Sequence, residues 1–387
     1  MRETQKHTKP NVPNLRFPGF EGEWEKRKIR DFTRVVAGAT PSTGNKSYWG
    51  GDIRWMNSGE LNLKRVYDVQ GRITREGYEK TSTKMIPLYS VLIGLAGQGK
   101  TRGTAAMNYV ELCTNQSIAS ILPSQDYYPE FLYQNIESRY KELRDISSGD
   151  GGRGGLNLQM INNLDIPYCS LTEQKKIGDF LYLLDQRITI QSKLIDHYES
   201  LIRAIYHETL NNVRGTIITL GNLVQIKKGT QLNGENLLTV GKYYVMNGGI
   251  TPSGYYDSYN TPGEIISISE GGNSCGYVQY NSFPFWSGGH CYTLLPQTQY
   301  KDLVKYRYLY HYLKYRQDDI MAMRIGSGLP NIQKKDLERF QVMLPETQIQ
   351  ERYTVLFDAV DSVISIEKAL LNKLIESKKK LISQMFI

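Results

Sequence analysis

The chain repeats itself. Within its 387 residues Met56-Asn57-Ser58-Gly59 returns as Met246-Asn247-Gly248-Gly249, Gly155-Leu156 as Gly328-Leu329, and Asp185-Gln186-Arg187-Ile188 as Asp361-Ser362-Val363-Ile364. The spacings are 190, 173 and 176 residues, with insertions and deletions concentrated near the start of each copy. A half of roughly 175 residues therefore occurs twice, a period far too long for a solenoid unit. Such a chain folds as two related domains, each long enough to bury its own core. Two related surfaces suit a target that offers two related sites.

Two segments follow a helical period. In the first, Ile177, Leu181, Leu184, Ile188, Gln191, Ile195, Tyr198, Ile202 and Ile205 step by alternating fours and threes, the a/d seam of a coiled coil. Ser170 and Glu173 make a capping box ahead of it, and Asn211, Asn212 and Gly215 supply the stop. Tyr353, Phe357, Val360, Ile364, Glu367, Leu371, Leu374, Lys378 and Leu381 repeat the pattern, with Gln191 and Glu367 in the same register. The spacing predicts helices over 171–212 and 345–387, each of roughly 40 residues and about 60 Å at 1.5 Å per residue. Two ordinary amphipathic helices, each packed on its own domain, are the alternative. Four or more heptads exceed what a domain-sized core uses.

These helices delimit an N-terminal arm, 1–23, and two domains, 24–170 and 213–344. The domains are rich in Gly, Tyr and short β-branched runs such as Ser90-Val91-Leu92-Ile93 and Glu264-Ile265-Ile266-Ser267-Ile268, broken by Pro and Gly. That pattern predicts an α+β class of many short strands and loops. Tyr306, Tyr308, Tyr310 and Tyr312 would share one side of a strand, yet Leu309, Leu313 and several helix formers lie in the same run, so strand and helix both remain open. Half-buried packing is the expectation for such tyrosines, ahead of a base-stacking platform.

Charge and cysteine usage narrow the class. A formal net charge of +8 favours a polyanionic partner. Cys113, Cys169, Cys275 and Cys291 form no CxxC pair and no disulfide framework, which points to reduced cytosolic thiols. The opening residues Met1 to Lys6 contain no apolar signal core, and no run of 18 apolar residues occurs, so a soluble, cytoplasmic protein is expected.

One string has the look of chemistry. Gly94-Leu95-Ala96-Gly97-Gln98-Gly99-Lys100-Thr101 satisfies the phosphate-loop spacing GxxxxGK[ST] after a candidate strand. The helix that such a loop requires is missing, because Arg102-Gly103-Thr104 follows at once. The second copy, Ser269-Glu270-Gly271-Gly272-Asn273-Ser274-Cys275-Gly276, carries an acid and no lysine. Both strings are better read as equivalent glycine-rich loops after a strand, where backbone can approach a polyanion closely. No HExxH, Cys/His cluster, GxSxG elbow, dinucleotide fingerprint or NPPY-type methyltransferase signature accompanies them, and His290-Cys291 reads as structural. Glu173-Gln174-Lys175, at the head of a helix without an acidic partner on a preceding strand, reads as solvated helix charge.

Several of these residues carry a family likeness. Trp24 through Phe32, Gly38-Ala39-Thr40-Pro41-Ser42-Thr43, Tyr48-Trp49-Gly50-Gly51-Asp52-Ile53-Arg54-Trp55, and Glu173-Gln174-Lys175-Lys176-Ile177-Gly178 ahead of the heptads resemble the specificity subunit of type I restriction-modification systems. The match covers nearly the whole chain. The resemblance implies two target recognition domains separated by two long antiparallel coiled-coil helices with a pseudo-twofold axis, each domain reading one half of an interrupted DNA site. It implies no chemistry in this chain: two modification subunits bring S-adenosylmethionine and methylate adenine, and restriction subunits bring the ATP- and Mg-dependent translocase and nuclease. The second copy departs from the pattern, with Tyr244-Val245-Met246-Asn247 in place of Arg54-Trp55-Met56-Asn57 and no Thr-Pro-Ser after Gly229, which implies two different half-sites.

On this reading, basic and amide side chains in the loops fix each domain on the phosphates and read base edges in the major groove. The candidates are Thr40, Ser42, Arg54, Asn57, Lys64, Lys100, Arg102 and Arg153 in the first domain, with Lys242, Asn247, Asn273 and Arg324 in the second. For Asn57 and Asn247, turn-building is an equally good account. A P-loop nucleotide hydrolase and a coiled-coil scaffold that binds only protein are the competing classes.

Overall fold

The computed structural model describes residues 11–97, 99–147, 154–300, 302–326 and 328–387. The candidate Arg153, Gln98 of the phosphate-loop string and the opening residues Met1 to Lys6 lie outside them. Two compact units result, Met1–Ser192 with Leu370–Ile387, and Lys193–Ala369.

In the first unit, strand Glu25–Lys28 pairs antiparallel with Asp165–Tyr168, closing the domain immediately before the central helix. A five-stranded sheet runs in the order Val35–Ala37, Ile118–Ile121, Val91–Gly94, Ala105–Asn108, Arg65–Val66. Successive side chains of a strand point to opposite faces, and Val91-Leu92-Ile93 obeys: Val91 and Ile93 join a core with Phe131 and Ile177, while Leu92 joins Met56, Leu61 and Leu112. Burial on both faces is why this strand reads as an unbroken apolar run. A four-stranded sheet, Arg72–Ile73, Trp49–Met56, Leu112–Thr114, Met85–Ile86, completes the domain.

The second unit repeats this plan. Thr216–Thr219 pairs with Gln341–Leu344 as the closing ribbon. The order Val224–Lys228, Cys291–Pro296, Ile265–Ser269, Val278–Asn281 matches four strands of the first large sheet. Even the parallel pairing recurs, Trp55-Met56 beside Cys113-Thr114 in one unit and Val245-Met246 beside Trp286-Ser287 in the other. Of the two options for the tyrosine run, the helix is the one formed, Tyr306–Tyr315, with Tyr308 and Tyr312 in the core rather than on a stacking platform.

The long helices run Leu171–Asn211 and Thr347–Met385. Their heptad seam is the buried side: Ile177 and Leu181 share the first core with Met385, and Ile202 and Tyr206 share the second with Phe357 and Ile364. Within each unit the helices are antiparallel, Asp185 bonding Lys378 in the first and Glu199 bonding Lys368 in the second. Each fully buried Leu or Ile of the seam contributes roughly 1.5–3 kcal/mol to its core.

Two expectations at the head of the central helix are corrected. Ser170 Oγ accepts the Glu173 amide at 3.3 Å, but the Glu173 carboxylate takes Arg16 of the N-terminal arm at 2.7 and 2.8 Å instead of closing a capping box. Nor is Glu173-Gln174 solvated charge, for both side chains are buried. Gln174 donates to the Cys169 carbonyl at 2.9 Å and accepts the Tyr128 amide at 2.9 Å, just ahead of helix Pro129–Ser138. In the second unit Gln350 donates to the Pro345 carbonyl at 2.8 Å and accepts the Lys305 amide at 2.9 Å, ahead of Tyr306–Tyr315. Gly178 stands where any Cβ would come within 2.9 Å of the Phe131 amide nitrogen, so the helix can approach this closely only with glycine there.

Ion pairs complete each grip. Arg65 donates to Glu130 at 2.6 and 2.7 Å and to Asp185 at 2.9 Å, and Asp185 also accepts from Lys378 at 2.5 Å. Burial opposes the Arg65 charge, but the hydrogen bond and charge of Glu130 more than offset it and raise the guanidinium pKa. In the second unit the domain helix carries the cation instead: Arg307 donates to Asp358 at 2.6 and 2.9 Å, and fully buried His311 lies 2.8 Å from both Asp358 and Tyr206.

Removing one partner of a buried pair strands the others. Arg65→Ala is expected to cost about 3–5 kcal/mol in urea unfolding, whereas Arg75→Ala, which breaks an exposed pair with Glu79, costs under about 1 kcal/mol. His311 gives a pH signature. Burial pushes it from 6.5 down to about 4, against the favourable bond and charge of Asp358. The unfolded chain therefore takes the proton first. The neutral imidazole's stabilisation is complete above pH 6.5 and lost as pH falls towards 4, a loss of roughly 3 kcal/mol. Asp361, whose pKa burial raises, acts in the opposite sense in acid. Urea midpoints measured across this window should fall for the native chain and stay flatter for His311→Gln.

Candidate nucleic-acid interface

The glycine-rich strings are the tips of β-hairpins. In the first unit the tip joins Val91–Gly94 to Ala105–Asn108, Gly103 donating to the Gly94 carbonyl at 2.9 Å. In the second it joins Ile265–Ser269 to Val278–Asn281, with Gly276 donating to Ser269 at 2.8 Å. Gly103 and Gly276 have φ of +78° and +89°, a left-handed backbone that favours glycine. A strand follows each tip. With no helix N-terminus to hold a phosphate, the nucleotide reading loses its structural basis.

Around each tip the same hydrogen bonds converge on one four-residue turn. In the first unit, Asn115 donates to Met56 at 3.0 Å, Leu95 to Ser117 at 2.8 Å, and Ile118 to Asn115 at 3.3 Å. In the second, Gly288 donates to Met246 at 2.8 Å, Glu270 to His290 at 2.9 Å, and Cys291 to Gly288 at 3.1 Å. Asn115-Gln116-Ser117-Ile118 is therefore the structural counterpart of Gly288-Gly289-His290-Cys291. The backbone frame is duplicated while the side chains it carries differ.

The first-domain candidates separate into two groups. Thr40 is exposed and donates to Gln116 at 2.5 Å, Ser42 is exposed with its carbonyl taking the Trp49 indole N–H at 3.1 Å, and Lys100 is exposed on the hairpin tip. These belong to the turn and its surroundings. Arg54 is held at 2.8 Å by Asp68, whose carboxyl that bond keeps below the usual carboxylate range. Asn57 spends its side chain on a cap: its oxygen accepts from Gly59 at 2.8 Å and its amide donates to Glu60 at 2.9 Å. Arg102 is half-buried and donates to the Gly154 carbonyl. Lys64 sits 3.6 Å from Glu137, which Lys378 also approaches, so its ammonium belongs with the cluster at the helices.

In the second domain Lys242 is exposed, its ammonium 5.3 Å from the Tyr243 ring centre, and Asn273 is exposed on the hairpin tip. Exposed Arg324 is close enough for its charge to act on Cys275, whose thiol burial raises. Asn247 accepts the His290 amide at 3.2 Å and so supports the turn. The sequence reading left Gln116 and Gln231 unremarked, took Glu270 only as the acid of the second glycine-rich string, and read His290 as structural. For the turn a signal was available: the spacing that sets Gly103 against Gly276 also sets Ser117 against His290. One repeat is corrected, since Leu156 donates to Leu95 as Ile332 donates to Glu270, both at 2.9 Å, so Leu156 corresponds to buried Ile332 and not to exposed Leu329.

The four cysteines are buried free thiols. Among the described residues no group of three His, Cys, Asp or Glu could hold a metal ion, and no helix is long and apolar enough to cross a membrane.

The same loop frame, built twice with unlike side chains, defines a protein of two related domains. The model of the type I restriction modification DNA specificity domain matches this chain twice, at residues 21–199 and 214–376, and the chain belongs to that family. It is 23% identical over 394 residues to the specificity subunit of the type I restriction enzyme MjaIX of Methanocaldococcus jannaschii, covering 90% of this chain and 89% of the relative. A putative type I specificity subunit of Mycoplasma pneumoniae is 34% identical over 170 residues, 44% of each chain. The fold matches the solved S subunit of a type I restriction-modification system from M. genitalium with a TM-score of 0.68, over 97% of this chain and 99% of that one at 20% identity. DNA sequence recognition in a type I system is the role of this chain.

Exposed lysines suit contacts to phosphate, which carry no sequence information directly. Lys100→Ala and Lys242→Ala are each expected to weaken duplex binding evenly across sequences and to reduce the slope of log affinity against log salt by about 1. Asn57→Ala, already committed to its cap, should instead lower stability by about 1 kcal/mol and leave the salt slope unchanged.

Proposed function

We propose that each domain reads one half of an interrupted duplex DNA site and that the long helices fix the distance between the halves. The observation that carries this is the duplicated turn: identical backbone hydrogen bonds present Gln116 and Ser117 in one domain and Gly289 and His290 in the other. Equal frames with unlike side chains suit two related but different half-sites. The chain itself performs no chemistry on this reading. Two modification subunits supply S-adenosylmethionine and methylate adenine, and restriction subunits supply ATP- and Mg-dependent translocation and cleavage, in the cytoplasm. A chain of a solved type I restriction-modification assembly shares this fold, with a TM-score of 0.55 at 16% identity over 94% of this chain, which accords with such a partnership.

The ruler has a direct test. Four residues added to both helices lengthen each by about 6 Å, close to two base-pair steps of roughly 3.4 Å. Such an insertion is expected to lengthen the non-specific spacer and leave both half-sites as they were. Methylation mapping that returned altered half-sites would refute the ruler.

A further inference from the structure

We propose that His290, oriented by Glu270, reads a base edge in the second half-site by accepting a hydrogen bond from the exocyclic amino group of adenine or cytosine. The inference rests on the reading above, that this end of the domain faces DNA, and gives that site a specific residue and a specific donor.

Four observations lead there. First, the backbone equivalence pairs His290 with Ser117 and Glu270 with Leu95, so the second domain carries an imidazole and a carboxylate where the first carries a hydroxyl and an apolar side chain. Second, the Glu270 side chain is only 12% exposed and His290 is 60% exposed, an inner and an outer member of one pair. Third, the carboxylate is half satisfied. Its Oε1 accepts from Lys228 at 2.5 Å and Tyr292 at 3.3 Å, while Oε2 is buried with no hydrogen-bond partner among the described residues and lies 3.4 Å from His290 Nδ1. A buried carboxylate oxygen without a donor is costly. A small turn of the imidazole brings an Nδ1 proton onto it and meets that need. Fourth, nothing stands ahead of the ring on its own turn. Both residues before the histidine are glycines, and a Cβ at Gly288 would come within 2.5 Å of the Asn247 side-chain oxygen.

The chemistry of the ligand follows from the tautomer. With the proton on Nδ1 facing Glu270, neutral imidazole presents the Nε2 lone pair outward as an acceptor. In the major groove the exposed donors are the N6 amino group of adenine and the N4 amino group of cytosine, whereas thymine and guanine present carbonyl acceptors at the corresponding place. A phosphate offers no donor and does not fit. Glu270 is a positioning residue in this arrangement and touches no base.

The test maps adenine methylation in cells that carry the full chain with its modification subunits, comparing the native chain, His290→Ala and Glu270→Gln. His290→Ala should lose at least about fivefold discrimination at one position of one half-site, leaving the other half-site and the spacer intact. Glu270→Gln should relax that same position and no other, a pattern that a merely structural role would not produce. Unchanged preference at every position in His290→Ala overturns the proposal, and so does an even fall across all sequences, which marks a phosphate contact. The exposed His290 side chain bears little of the fold, so this variant decides the matter even if Glu270→Gln fails to accumulate. A native motif that is uninterrupted, or independent of this chain, defeats the underlying reading before any variant is compared.

Discussion

Each recognition domain depends on how it grips the first turns of a long helix. A single buried glutamine, Gln174 or Gln350, accepts the amide that precedes the domain's docking helix and donates to the carbonyl at the end of the closing strand ribbon. A helix start leaves backbone groups without partners, and here those of the docking helix are tied across to the long one. Orientation is thereby set by hydrogen bonds, and the apolar seam, which is non-directional, adds its burial to each core.

The ion pairs beside these glutamines show what duplication preserves. In the first domain the docking helix contributes the anion Glu130 and a strand contributes Arg65; in the second the docking helix contributes the cation Arg307 against Asp358. The docking helix carries an anion in one domain and a cation in the other, while the long helix contributes an aspartate, Asp185 or Asp358, in both. Side chains differ as well on the duplicated turn, where one backbone frame holds Gln116 and Ser117 or Gly289 and His290. Framework contacts are maintained in kind, while the side chains that the turn presents differ.

Much of the fold was legible in the sequence. The heptad seam, the repeat and the pairing of the two glycine strings each reflect periodicity or spacing, which a single chain displays openly. What escaped depends on contacts between residues far apart in the chain. Glu173 looked like solvated charge because its partner, Arg16, lies 157 residues away, and Lys64 looked free because Glu137 is on another element. Asn57 and Arg102 have the right chemistry for DNA, yet a local cap and the Gly154 carbonyl claim them. Matching Gly155-Leu156 to Gly328-Leu329 followed residue identity where the fold follows burial, which sets Leu156 against Ile332.

Two unlike readers on one ruler is the central claim, and adenine methylation mapped across the genome in cells with and without this chain tests it most directly. The account expects an interrupted motif, two different half-sites with a fixed spacer, that disappears when the chain is removed. A continuous motif, or one built of two identical inverted halves, would contradict it.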